Sequence, residues 1–186
     1  LMKDGYKFQI AAKQPEHEAT VYINSKGMGT ANISGQDDLL LPERELRQVF
    51  NGDRVKVRQT SVDRKGKAWG FITEVVQHRV KQIIGKVAVH EGEYFIQPGN
   101  PNSHQPVTLE KELIEHAKVN VGDSVRIAID DYPTKEELAT GHILQSMADK
   151  ADTEIIIPQT ILEFGLPYEF PEDVVKEAES FKEPSA

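Results

Sequence analysis

Gly52-Asp53-Arg54-Val55-Lys56-Val57 recurs 70 residues later as Gly122-Asp123-Ser124-Val125-Arg126-Ile127. Gly70-Phe71-Ile72 recurs as Gly141-His142-Ile143 at an offset of 71, and Thr20-Val21-Tyr22-Ile23 is echoed by Lys86-Val87-Ala88-Val89. A Gly-Asp step into alternating valines is a common turn-to-strand signal, so each match alone says little. The shared offset says more. A chain of 186 residues that repeats its strand signals at this interval has room for two small domains of one plan.

Alternating apolar residues predict strands at about 20–24, 28–34, 38–41, 54–60 and 68–77 in the first copy. Between the third and fourth, Pro42 to Phe50 reads as a short helix with Leu46 and Phe50 on one face, ended by Asn51-Gly52. The second copy repeats the plan, with strands at about 83–90, 93–98, 106–109, 124–130 and 138–147. Its helix, near Leu109 to Lys118, has Leu113 and Ala117 on one face. Five strands with a helix after the third is the layout of an oligonucleotide-binding barrel. The expected fold is therefore all-β, two tandem five-stranded barrels of oligonucleotide-binding or cold-shock type. The expected boundaries are a polar arm over 1–18, barrels over 19–80 and 81–150, and a tail over 151–186. The arm has one extended stretch, Tyr6 to Ile10. In the tail, Pro158 is expected to open a helix closed by Gly165, and Pro171 a second with Val174, Ala178 and Phe181 on one face.

Composition excludes several classes. Without cysteine there are no disulfides and no thiolate metal sites. No apolar run approaches the roughly 20 residues that span a bilayer, and the start lacks a signal-peptide pattern, so a cytoplasmic chain with no membrane partner is expected. The net charge of −8 argues at first against a polyanionic ligand. It hides a gradient: Lys+Arg number 13 against 10 Asp+Glu in residues 1–80, 7 against 11 in 81–150, and 2 against 9 in 151–186.

Barrels of this class bind with strands 2 and 3 and with the loops joining strands 1–2 and 4–5. In the first copy those loops are Asn24-Ser25-Lys26-Gly27 and Ser61 to Lys67, which carries Arg64, Lys65 and Lys67. Strand 4 adds Arg54, Lys56 and Arg58 at period two, so all three project to one face while Val55 and Val57 face inward. These seven cations are the candidate phosphate contacts, although the same charges also suit an ordinary solvated face and polar turn. In the second copy the matching loops, Glu91-Gly92-Glu93 and Asp130 to Glu137, are net acidic. Rings that could stack on bases are scarce. Tyr22, Trp69 and Phe71 read as core residues, and of Tyr94 and Phe95, on opposite faces, one is available; Phe95 is the candidate. The six histidines have no metal-ligand spacing, no nucleophile elbow or phosphate-cradling glycine loop is present, and Asp37-Asp38 and Asp130-Asp131 flank turns. No catalytic or metal-binding residue is expected in this chain.

The run Ser25 to Thr30, then Asp37-Asp38-Leu39, Asn51 to Val55 and Asp63 to Lys67, resembles the first cold-shock domain of the ribonuclease R family. Ile84 to Val87, Phe95 to Pro98 and Val121-Gly122-Asp123 resemble its second, and Leu166 to Pro171 resembles the link into its catalytic domain. The resemblance covers about residues 19–180. It implies a processive 3′→5′ exoribonuclease that hydrolyses RNA with magnesium held by an aspartate cluster. That cluster would follow this chain, which is then expected to bind single-stranded RNA without cutting it, next to the catalytic domain of the same parent chain, and to need no cofactor itself. One departure concerns stacking: the family usually has phenylalanines where Met28 and Thr30 stand, and often tyrosine at Leu40.

Two other readings remain open on sequence. A tandem-barrel protein-interaction or structural module fits the overall acidity and the missing rings. A complete small enzyme is the third. An aspartate-rich segment encoded downstream of Ala186 separates the first reading from both.

Overall fold

The computed structural model describes residues 15–99, 105–150 and 152–163. Strands β1 (Glu16–Ile23), β2 (Gly29–Asn32), β3 (Leu39–Leu41), β4 (Arg54–Val62) and β5 (Ala68–Gln77) close into one barrel in the order β1-β2-β3-β5-β4, with helix α1 (Glu43–Leu46) between β3 and β4. Strands β6 (Gln82–His90), β7 (Glu93–Pro98), β8 (Val107–Leu109), β9 (Ser124–Asp131) and β10 (Ala139–Ser146) close a second in the equivalent order, with helix α2 (Lys111–Ala117) in the same slot. In each barrel the third strand meets the fifth in parallel, β3 with β5 and β8 with β10, and that pairing shuts the sheet. Among the described residues, closure leaves neither barrel an open sheet edge to attract another chain. The first barrel is filled by Val21, Ile23, Leu39, Leu41, Val55, Val57 and neighbours, and the second by Val87, Ile96, Val107, Val125, Ile127 and neighbours.

The repeated sequence marks a repeated joint. Gly52 N–H donates to the Val21 carbonyl at 2.8 Å, and Val21 N–H donates to the Asp53 carbonyl at 2.9 Å. Gly122 and Asp123 make the same two bonds with Val87, at 2.8 and 2.9 Å. Both glycines have positive φ, +91° and +97°, which a side chain would strain. Each aspartate then caps the turn before it: Asp53 Oδ2 accepts from Phe50 N–H and Asp123 Oδ2 from Asn120 N–H, both at 2.8 Å. The weakest echo, Val21 with Val87, is thus part of the same joint as the strongest.

Asp53 does more than Asp123. It is fully buried, and it also accepts from Arg79 N–H at 2.9 Å and bonds His78 Nδ1 at 2.7 Å. Asp53→Ala orphans two backbone donors and is expected to cost about 2–4 kcal/mol in urea unfolding, against about 1 kcal/mol for Asp123→Ala. Equal losses at the two positions would contradict this account.

Several sequence expectations need correction. β1 begins at Glu16, so residues 16–18, placed in the arm, belong to the barrel: Glu16 and Glu18 lie on β1 against β4 and their carboxylates pair with Arg58 and Arg54. α1 stops at Leu46, so Phe50 does not share its face. Leu46 fills the first core, whereas Phe50 crosses into the second. In α2 the buried anchor is Ile114, with Leu113 only half-buried. Pro158 lies inside helix α3 (Asp152–Glu163) rather than opening it. Proline in a helix interior costs about 3 kcal/mol. Burial of Ile155 and Leu162 against Ile84 and Met147 of the second barrel offsets that, at roughly 1.5–3 kcal/mol per side chain. The extended stretch at Tyr6–Ile10, the closing Gly165 and the helix expected after Pro171 lie outside the described residues.

The barrels meet through α1 and the loops of the second barrel. Tyr132 of the β9–β10 loop stacks on His78, with centroids 3.8 Å apart and planes 2° apart, and meets Phe50 edge-on at 6.5 Å. Burial, then the Asp53 charge, raises the Tyr132 hydroxyl above its ordinary pKa. Lys135 Nζ reaches the buried Glu45 carboxylate at 3.0 Å, and Gln105 Nε2 donates to the Leu46 carbonyl at 3.0 Å.

Candidate nucleic-acid interface

Two loops of the first barrel are built alike. In the β1–β2 loop, Asn24 N–H donates to the Met28 carbonyl at 3.0 Å, and Asn24 Oδ1 accepts from Lys26 and Met28 N–H at 2.9 and 3.1 Å. In the β4–β5 loop, Asp63 N–H donates to the Lys67 carbonyl at 2.8 Å, and Asp63 Oδ1 accepts from Lys65 and Lys67 N–H at 2.8 and 2.9 Å. Gly27 and Gly66 take the same left-handed place, each at φ +79°. This is a tight turn ended by a glycine bulge, a standard way to close a three-residue hairpin. The sequence Asx-x-Lys-Gly therefore sets Lys26 and Lys65 at matching positions of two rigid loops. The Lys67 N–H first, and that of Lys65 after it, holds the Asp63 carboxyl below the usual carboxylate range, so the cap stays ionised near neutral pH.

Between these loops, β2, β3 and α1 frame a groove of about 1040 Å³. Lys26, Lys65 and Lys67 line it, with Arg47 of the turn after α1; Glu43 and Asp63 are its acids. Met28, Leu40 and Trp69 supply its apolar surface. Residues paired directly across a sheet share a face. Tyr22 pairs Thr30, Thr30 pairs Leu40, and Leu40 pairs Trp69, so these four form one row across the outside of the barrel. Their chain neighbours Val21, Ile23, Ala31, Leu39 and Leu41 are buried, which fixes the row as the outer face. Tyr22 and Met28 are each 58% exposed.

The structure divides the seven cations. Lys26, Lys65 and Lys67 come together at the groove. Arg64 sits exposed in the same loop but does not line it. Arg54, Lys56 and Arg58 point outward from β4 as period two requires, but each meets a carboxylate: Arg54 with Glu18 at 2.9 Å, Lys56 with Glu74 at 2.6 Å, Arg58 with Glu16 at 2.6 Å. The Glu74 hydrogen bond, followed by its charge, raises the Lys56 pKa. The β4 cations thus belong to a neutralised ladder, not to the groove. Phe95 is elsewhere again, half-buried on the outer face of β7 opposite Ala88 and Thr108, the place Thr30 holds in the first barrel. Its row, completed by Thr140, ends at Asp131, which accepts the Thr140 hydroxyl at 3.0 Å. Tyr94 packs on the second core.

Sequence reading missed Trp69 and Arg47 of the groove and Tyr22 on the outer row beside it. Trp69 was expected in the core, yet its pairing with Leu40 turns it outward; the signal was Gly70, whose absent side chain lets β5 approach Leu39 and the Arg58 carbonyl while the residue before it faces away. Tyr22 lies outside for the same reason of alternation, between buried Val21 and Ile23. Arg47 had no signal, because a cation after a short helix turn is commonplace.

Fold and groove together define a protein of tandem oligonucleotide-binding barrels. Residues 19–75 match the ribonuclease B OB domain and residues 95–171 the cold shock domain. Ribonuclease R of Aquifex aeolicus is 30% identical over 88% of this chain and 23% of its own length. A structure of Mycoplasma genitalium RNase R in complex with ribose methylated single-stranded RNA superposes with a TM-score of 0.71 at 17% identity, over 90% of this chain and 27% of that one. Yeast Ssd1, a pseudonuclease, superposes at 0.63 and 12% identity, over 81% of this chain and 25% of its own. The chain spans less than a third of the length of each. The two domain matches and the two closed barrels of the described residues agree on a tandem of oligonucleotide-binding, cold-shock-type domains similar to that of ribonuclease R. The same fold occurs in a nuclease and in a pseudonuclease, so it does not by itself decide catalysis.

Proposed function

We propose that this chain is the RNA-binding region of a ribonuclease R-like 3′→5′ exoribonuclease, and that its first barrel guides single-stranded RNA toward a catalytic domain of the same parent chain. One observation carries the reading: three lysines on two rigid loops converge with Trp69 on the strands and loops that this fold uses for oligonucleotides. The ribonuclease R relatives, and the RNA held by the Mycoplasma protein, point to the same ligand. Phosphates would sit on the lysines and one base on the indole, a combination that binds single strands with little regard to sequence. In this reading, hydrolysis with magnesium belongs to the parent's catalytic domain, as the likeness to ribonuclease R implies.

Trp69 is the one tryptophan of the chain, and so a built-in reporter. Titrating an oligouridine into the wild-type chain is expected to quench its emission saturably. Trp69→Ala, followed with a fluorescein-labelled strand instead, is expected to weaken binding by about 1–3 kcal/mol, roughly five- to a hundredfold in Kd. Saturable binding with unaltered Trp69 emission would remove the groove from the interface. No binding at low salt would favour an interaction module.

A further inference from the structure

The second barrel has its own β9–β10 loop, the counterpart of the loop that carries Lys65 and Lys67 in the first. In the second barrel that loop is turned to another use. Tyr132 stacks on His78 and Lys135 reaches Glu45, both partners lying in the first barrel. From the segment between β7 and β8, Gln105 gives its side-chain N–H to the Leu46 carbonyl.

Glu45 and Leu46 are the last residues of α1, and α1 walls the groove through Glu43 and Leu46, with Arg47 following. The helix is only four residues long and has no side-chain cap at its start. A single turn of this kind does not hold its shape unaided. Within the first barrel, Ile72 N–H donates to Glu45 Oε2 at 3.0 Å, and Leu46 packs against Gly29. Gln48 Nε2 also donates to Glu45 Oε2 at 3.2 Å and Val49 N–H to the Leu46 carbonyl at 3.4 Å, and two further ties to its C-terminal end come from the second barrel. Gln105 itself is buried and forms part of the groove lining.

We infer that Gln105 and Lys135 are positioning residues for the first barrel's groove: the acidic second barrel serves nucleic-acid binding by clamping α1 rather than by touching phosphate. The inference rests on the reading of that groove as the RNA site. It explains why a loop expected to bind ligand carries Asp130, Asp131, Glu136 and Glu137. A strut that never meets phosphate needs no basic face.

The test uses the full chain and four proteins: wild type, Lys135→Met, Lys135→Arg and Gln105→Ala. Binding of a fluorescein-labelled oligouridine is measured across a salt series, with thermal melts as a check on folding. Lys135→Met is expected to weaken binding roughly fivefold, a typical size for coupling through a residue outside the groove lining, and Gln105→Ala, whose amide also lines the groove, by at least as much. The log–log salt slope is expected to stay at its wild-type value, since no phosphate contact is lost. Lys135→Arg keeps the ion pair and is expected to restore affinity. A flattened slope in Lys135→Met would make Lys135 a phosphate contact and overturn the inference, as would unchanged affinity in both truncations. Acrylamide quenching of Trp69 without RNA gives an independent readout, expected to rise in both truncations. If wild type fails to bind RNA, the functional reading fails, and unchanged quenching would then sink the clamp separately.

Discussion

Replacing Lys26, Lys65 and Lys67 together with alanine is expected to flatten the salt dependence of single-strand binding by a log–log slope of about 2. Each phosphate contact on a single strand contributes about 0.7 through counterion release, and three contacts are removed. Affinity at low salt is expected to fall on the order of 10- to 100-fold, with the melting temperature nearly unchanged because exposed loop charges add little to folding. The companion variant removes Arg54, Lys56 and Arg58. Counted as free cations, they would matter as much. Since Glu18, Glu74 and Glu16 already neutralise them, their loss is expected to leave the slope nearly intact and to cost little stability, because exposed ion pairs contribute little to folding. Fluorescence anisotropy of a labelled strand across a salt series separates the two. Equal flattening by both triples would mean that the field of the whole barrel, and not the groove, binds the strand.

Phe50→Ala is expected to destabilise the chain by about 3–5 kcal/mol, the range for removing a large buried ring. Its unusual feature is where the loss falls. Phe50 stands in the first barrel's sequence, directly after its helix turn, but its side chain belongs to the second barrel's core beside Tyr132. The wild-type barrels are expected to unfold together in urea, with Trp69 emission reporting the first and far-ultraviolet circular dichroism reporting both. In Phe50→Ala the dichroism is expected to lose amplitude before Trp69 responds, because the second barrel loses its plug while the first keeps Leu46 and Val49. A loss under about 1 kcal/mol with coincident transitions would show that Phe50 is not the joint between the barrels.

What could be read from sequence and what could not divides along the range of the interactions. The Gly-Asp repeat was legible because a turn that needs positive φ at Gly52 and Gly122, and a carboxylate three residues past Phe50 and Asn120, is a local requirement. The same holds for alternation on β4, where Val55 and Val57 had to face inward, and for the Asx-x-Lys-Gly loops. Closed barrels with a helix between the third and fourth strands followed from these local signals in order.

Sequence by itself thus determined the element plan, the inward valines of β4 and the loops that carry cations. Which of those cations are free was decided by tertiary pairing: Glu16 and Glu18 reach Arg58 and Arg54 only because β1 closes on β4 about 40 residues away in the chain. The outward face of Trp69 was decided by the parallel closure of β3 on β5. The departure of Phe50 from its own barrel, and the clamp of Gln105 and Lys135 on α1, were decided by how two finished barrels pack. Periodicity reports which face a residue takes relative to its neighbours in the chain. It carries no information about which distant charge or cavity that face will meet, because those partners are fixed only when the sheet closes and the barrels dock.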